Sequence, residues 1–177
     1  MKGIQRIFID MDYVICDNLE RFQEWYERDY GVRIADDQLR GKKYREAVPD
    51  EHREAVTGYP YLKGFHDELA PRPGSLQVVE ALHKQYEVFI ASAAMEFPLS
   101  LIDKKKWMAK YLPSIPWQRI IFCGSKDILK GDLLIDDNAY NLDAFDGAGL
   151  FFEAHHNLGQ EGYDRVADWE AVRERLL

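Results

Sequence analysis

The sequence predicts an open α/β fold, a mainly parallel sheet flanked by helices with a small helical cap inserted after the first strand. Three observations carry this. Short apolar runs rich in β-branched residues recur along the chain, too short for helices and apolar enough for strands buried on both faces. Stretches of helical period alternate with them, which implies βαβ units and therefore parallel pairing. Between the first run and the second lie far more residues than one crossover needs, and the excess is polar and broken by Gly and Pro.

The first strand is Ile7, Phe8 and Ile9. After Asp17 or Asn18 as N-cap, Phe22, Trp25, Tyr26 and Tyr30 fall on one helical face, and Gly31 ends the helix. From about Ile34 to Phe65 only short helical pieces are expected, notably "DEHREAV", interrupted by Pro49, Gly58 and Pro60. Residues 17–70 are thus read as the cap, and 1–16 with 71–177 as the core. "RPGS" opens a helix through Leu76, Val79 and Leu82, and "EVFIAS" from Glu87 follows as a strand. A helix covers Pro98 to Leu112. "RIIFCG" and "DLLIDD" read as two further strands and "GLFFEA" as a fifth, while Trp169, Val172 and Leu176 mark a last helix. The sum is a Rossmann-like sheet.

The 177 residues, 46% apolar and 31% charged, suit one folded body with a single main core. No apolar run reaches the length of a signal peptide core or a membrane span, so a cytoplasmic protein is expected. Cys16 and Cys123 lack metal-site spacing and are expected as buried free thiols. A net charge of −8 disfavours nucleic acid polymers. "DKKKW" (Asp103 to Trp107) reads as the solvated face of a helix whose apolar side is marked by Leu99, Ile102 and Met108. His155 and His156, past the last strand and near Gly159 and Gly162, are expected on a surface loop.

In open α/β sheets ligands sit at the carboxyl ends of the strands. There the sequence places Asp10 and Asp12, Ser92, Lys126, and Asp136 with Asp137. Strand alternation would point Asp10 and Asp12 the same way. Two like charges in one small space require a cation or a proton between them.

"DMDYV", Ser92, Lys126 and "GDLLIDD" together resemble the four motifs of the haloacid dehalogenase superfamily of phosphotransferases. The longer strings "LKGFHDELAPRPGSL", "VFIASA", "KKKWMAKYL" and "RIIFCGSKDILKGDLLIDD" are similar in order and spacing to the 5'(3')-deoxyribonucleotidase family. The resemblance implies a Mg²⁺-dependent phosphomonoesterase that forms an aspartyl-phosphate, with a nucleoside monophosphate as its small-molecule partner. From the short apolar runs no membrane partner is expected, and a homodimer stays open. Asp10 would be the nucleophile. Asp12 would be the general acid and base, protonated at first while Asp10 stays ionised. Asp10, the Asp12 carbonyl and Asp137 would hold the metal, with Asp136 behind them or as an alternative ligand. Ser92 and Lys126 would bind the phosphoryl group. Cap aromatics would stack the base, with Tyr59, Tyr44 and Phe65 as the candidates.

Departures from the family pattern are Tyr13 beside the nucleophile, where a small or acidic residue is usual, Asn18 and Lys42 at aromatic positions, and Ala93 after the motif serine. A phosphatase of the same superfamily acting on a non-nucleotide ester is the nearest alternative. A receiver-like signalling module has its acid pair on the first strand and no cap, and a dehalogenase needs no acid at Asp12.

Overall fold

Strand β1 (Arg6–Ile9) lies at the centre of the sheet because its side chains are apolar on both faces: Ile7 and Ile9 are fully buried on one side and Phe8 is buried on the other. The computed structural model describes residues 3–177, so the first two positions of the expected core fall outside the described residues. Five further strands follow, β2 (Glu87–Ser92), β3 (Ile120–Phe122), β4 (Leu133–Asp136), β5 (Ala148–Phe152) and β6 (Arg165–Val166). Their order is β3-β2-β1-β4-β5-β6, and all the described pairings are parallel. The direction of strand addition reverses between β1 and β4, which opens a crevice at their carboxyl ends.

Seven helices are described: α1 (Asn18–Tyr30), α2 (Asp36–Leu39), α3 (Asp50–Gly58), α4 (Ser75–His83), α5 (Ser100–Tyr111), α6 (Ala139–Ala144) and α7 (Trp169–Leu176). On one face of the sheet, Val78, Val79 and Leu82 of α4, Trp107 and Met108 of α5, and Trp169 and Val172 of α7 pack on Ile7 and Ile9. On the other face Leu142 and Phe145 join Phe8, Leu134 and Phe151. Both cysteines are buried and free. Among the described residues no helix is long and apolar enough to cross a membrane.

Helix α1 starts where the Asp17 side chain accepts from the Glu20 N–H and stops where Gly31 adopts φ 74°. Its apolar face meets the segments up to Phe65 in a second cluster of Tyr26, Leu39, Tyr44, Val56, Tyr59 and Phe65. At the stalk of this cap the chain leaves and re-enters the core side by side. The Asp17 N–H donates to the Ala70 carbonyl and the Arg72 N–H to the Ile15 carbonyl, each at 2.8 Å.

Two elements, β6 and α6, go beyond the sequence reading. The first is two residues long and the second buries only Leu142, so neither leaves a readable period. The face expected for α5 is corrected: Leu99 and Ile102 are exposed, whereas Ser100, Lys104, Trp107 and Met108 point inward.

Candidate active site

The β1 strand ends at Ile9, and the Asp10 N–H donates to the Ile135 carbonyl at 2.9 Å, which carries Asp10 up against the end of β4. The chain then turns. Ile15 and Cys16 both donate to the Met11 carbonyl, and Tyr13 takes a left-handed φ of 61°. Asp12 therefore sits in a loop and not on a strand, so alternation does not decide where it points. The two acids have different partners.

Asp10 accepts from Lys126, whose ammonium also reaches Asp136. Lys126 is 1% exposed; burial works to lower its pKa, but Asp10 and Asp136 outweigh burial and raise it. Asp136 is saturated with donors: Lys126, the Asn138 N–H at 2.8 Å and the Asn141 amide at 3.1 Å. Asp137 meets His156 Nε2 at 3.0 Å through one oxygen. Carboxylate oxygens of Asp10, Asp136 and Asp137 lie within 4.8 Å of one another. Asp12 lies outside that triad. Its side chain accepts from Lys104 and, at 2.9 Å, from the Asn18 amide, with His66 Nδ1 at 3.9 Å.

Burial, reinforced by Asp136 and Asp12 against the pull of Lys126, pushes the Asp10 carboxyl up to about 7. Burial likewise raises Asp136 against Lys126, and Asp137 against the hydrogen bond from His156. Asp12 is also buried, but Lys104, His66 and Asn18 overcome burial and hold it well below the usual carboxylate range. In the metal-free protein burial thus favours the protonated form at Asp10 and Lys104 the ionised form at Asp12, whereas the sequence expectation concerns Asp10 on the cation.

Lys104 has 0% exposure and donates to Asp12 and, at 2.9 Å, to Ser92 Oγ. The solvated-face reading of the basic run fails for this residue. The signal lay in the period: counted from Trp107 and Met108, positions 104 and 100 share the inward stripe. Ser92, at the end of β2, is buried behind the site and holds Lys104.

A cavity of about 330 Å³ opens over these groups. Asp10, Asp12, Lys126 and Asp137 lie at its core end, and Phe22, Tyr44 and Phe65 line it from the cap. Phe22 stacks on Tyr44 with ring centroids 5.1 Å apart. Tyr59 is the exception among the expected aromatics: it is buried in the cap cluster, its hydroxyl donating to Asp29 at 2.7 Å, and it does not line the cavity. His155 and His156 do line it. They follow β5 as expected but line the cavity, because a 3₁₀ turn after Ala154 carries them inward and brings His156 onto Asp137.

The donor set fits a hard divalent cation. Asp10, Asp136 and Asp137 bring carboxylate oxygens within 4.8 Å of one another in a buried site, and oxygen donors of this kind are what such a cation takes.

The six-stranded parallel sheet and its flanking helices are shared with haloacid dehalogenase-like hydrolases of known structure. Such a hydrolase from Geobacter sulfurreducens superposes with a TM-score of 0.58 at 13% identity, over 98% of this chain and 97% of that one. A haloacid dehalogenase-like hydrolase from Streptococcus pneumoniae superposes with a TM-score of 0.56 at 12% identity, over 99% and 100%. Residues 3–177 match the family described as "5' nucleotidase, deoxy (Pyrimidine), cytosolic type C protein", and the chain belongs to that family. A Staphylococcus epidermidis protein provisionally named 5'(3')-deoxyribonucleotidase is 37% identical over 169 residues, covering 96% of this chain and 94% of its own. The Bacillus subtilis protein named 5'(3')-deoxyribonucleotidase is 39% identical over 104 residues, 59% of this chain and 60% of its own. The chain is a phosphatase of the 5'-nucleotidase type.

Proposed function

We propose that the chain is a Mg²⁺-dependent phosphomonoesterase that acts through an aspartyl-phosphate on Asp10 and dephosphorylates deoxyribonucleoside 5'- or 3'-monophosphates. The observation that carries the mechanism is the placement of Asp10 on the cavity wall, paired with Lys126 and beside the open oxygen of Asp137. Residues 17–70 are assigned as the cap and 1–16 with 71–177 as the core, in keeping with their separate apolar clusters.

An Asp10 oxygen attacks phosphorus while the leaving alkoxide takes a proton from the Asp12 carboxyl. Asp12 then accepts a proton from water, whose oxygen attacks the phosphoryl group, releasing phosphate and restoring Asp10. Lys104 favours ionised Asp12 in the free protein; a phosphoryl dianion beside Asp12 raises that carboxyl by like-charge repulsion, so Asp12 takes up its proton from solvent as the substrate binds. Lys126 spreads positive charge over Asp10 and the phosphoryl oxygens. Bound Mg²⁺, held by Asp10, the Asp12 carbonyl and Asp137, would neutralise phosphoryl charge. Asp136, fully engaged by donors, serves to fix Lys126. Ser92 supports Asp12 both directly, donating to its carboxylate at 3.4 Å, and by accepting from Lys104 at 2.9 Å.

The nucleotide reading draws on the family and on Phe22, Tyr44 and Phe65 at the cap end of the cavity. Its test is phosphate release with and without Mg²⁺ over 5'- and 3'-nucleotides, deoxy and ribo, beside sugar phosphates and phosphoglycolate. Deoxyribonucleotides should be turned over fastest and chelation should abolish release. Turnover confined to sugar phosphates would overturn the substrate, and turnover indifferent to chelation would overturn the metal.

A further inference from the structure

Two features remain without a role in this chemistry: Tyr13, unusual beside the nucleophile, and the His155–His156 pair. Tyr13 has a left-handed backbone, costly for a bulky residue. It is held there from both sides, since its N–H donates to Asn18 Oδ1 at 3.0 Å and its carbonyl accepts from Arg72 at 2.9 Å. Its ring meets the His156 imidazole edge-on, with centroids 5.1 Å apart. His156 Nε2 in turn lies 3.0 Å from Asp137 Oδ2. The next residue, Asn157, is fully buried and donates to the Asp137 carbonyl at 2.9 Å and to the Phe152 carbonyl at 2.8 Å. Asp137 is therefore gripped at backbone and side chain by consecutive residues of one turn, and that turn is wedged from the nucleophile loop.

We infer that His156, braced by the Tyr13 ring, is a positioning residue that aims the free oxygen of Asp137 at the divalent cation and so sets metal affinity. Partners behind a metal ligand typically change affinity by about 10–100-fold when removed, because the ligand regains rotamers that miss the ion. His156→Leu keeps bulk and loses the donor; His156→Gln keeps a donor.

The inference rests on the metal-dependent reading above, and its experiment separates the two. Mn²⁺ binding to the purified full chain is followed by the electron paramagnetic resonance signal of free Mn²⁺, without substrate. Binding should weaken by about 10–100-fold in His156→Leu, and His156→Gln should recover most of the loss. The Mg²⁺ concentration for half-maximal activity should rise in step while kcat at saturating metal falls far less. Wild-type protein that binds no Mn²⁺ would overturn both readings. Wild-type binding left unchanged in His156→Leu would overturn the positioning role alone. If His156→Leu does not fold, Tyr13→Asn, which tolerates the left-handed backbone, carries the test: weakened Mn²⁺ binding supports the brace and unchanged binding refutes it.

Discussion

Replacing Lys104 by Met keeps most of the stem and removes the ammonium on which Asp12 depends. Breaking a fully buried ion pair from one side costs about 3–5 kcal/mol, because a charge is left desolvated without its partner. The Asp12 side chain keeps 25% exposure, so solvent screening brings the cost below that range, to about 2–3 kcal/mol. At this chain length each kcal/mol moves Tm by about 2–4 °C, giving a fall of about 4–12 °C at neutral pH. The pH dependence has a definite sign. A carboxyl held below its unfolded value stabilises the fold above that value, near ~4, and the contribution fades as pH falls towards the folded value. The gap between wild type and Lys104→Met should therefore be full at pH 7 and narrow between about pH 5 and pH 3. The double variant Lys104→Met/Asp12→Leu should be more stable than the single one, since no orphaned charge remains. Metal-free thermal melts read by circular dichroism at pH 7 and pH 4 make the measurement. A Tm within about 2 °C of wild type at pH 7, or a gap that ignores pH, would refute the buried-pair account.

Asp10→Asn should lower Mg²⁺-dependent turnover of an aryl phosphate by at least ~10³-fold, and activity within a few-fold of wild type would remove Asp10 as nucleophile. Without metal, the raised Asp10 carboxyl stabilises the fold below ~4 and loses that contribution as pH rises through about 7, so urea stability should decline from pH 5 to pH 8 and the decline should flatten in Asp10→Asn. Asp12→Asn should slow alkyl phosphates more than aryl phosphates, which need the proton less; equal losses would exclude the general-acid role. Tyr59→Phe should cost about 1 kcal/mol of stability through the lost bond to Asp29 and leave nucleotide kcat/KM within about twofold. Phe22→Ala should lower kcat/KM for nucleotides by roughly ten- to a hundredfold, with sugar phosphates as the control.

Five of the six strands and their parallel pairing were legible because each is a short apolar run, and α1 because both of its caps are written in the sequence. The polar residues at the strand ends converge for the same reason: register brings Ile9 beside Ile135 and Ile90, and hence Asp10 close to Asp136. Lys104 was hidden by its neighbours, since three consecutive lysines look solvated unless the helical phase is taken from Trp107. His156 was hidden by a turn that no periodicity announces. Tyr59 was overvalued because an aromatic near a cavity and an aromatic in the core of a small cap have the same sequence signature; Tyr44, Tyr59 and Phe65 are all buried in one cluster, and only Tyr44 and Phe65 of the three also line the cavity.

The central strand also constrains the order of folding. Arg6 to Ile9 are made first, yet their partners are Glu87 to Ile90 on one side and Leu133 to Ile135 on the other. Every hydrogen bond that closes the middle of the sheet is thus a long-range contact, whereas the cap cluster between Tyr26 and Phe65 is local and can collapse soon after synthesis. During translation the cap forms ahead of the sheet that it will cover, and β1 waits with both edges unpaired until β2 emerges and with one edge unpaired until β4 does. A chain stalled before Leu133 keeps one edge of an apolar strand open to other chains, so incomplete products should be far more prone to aggregate than the finished protein.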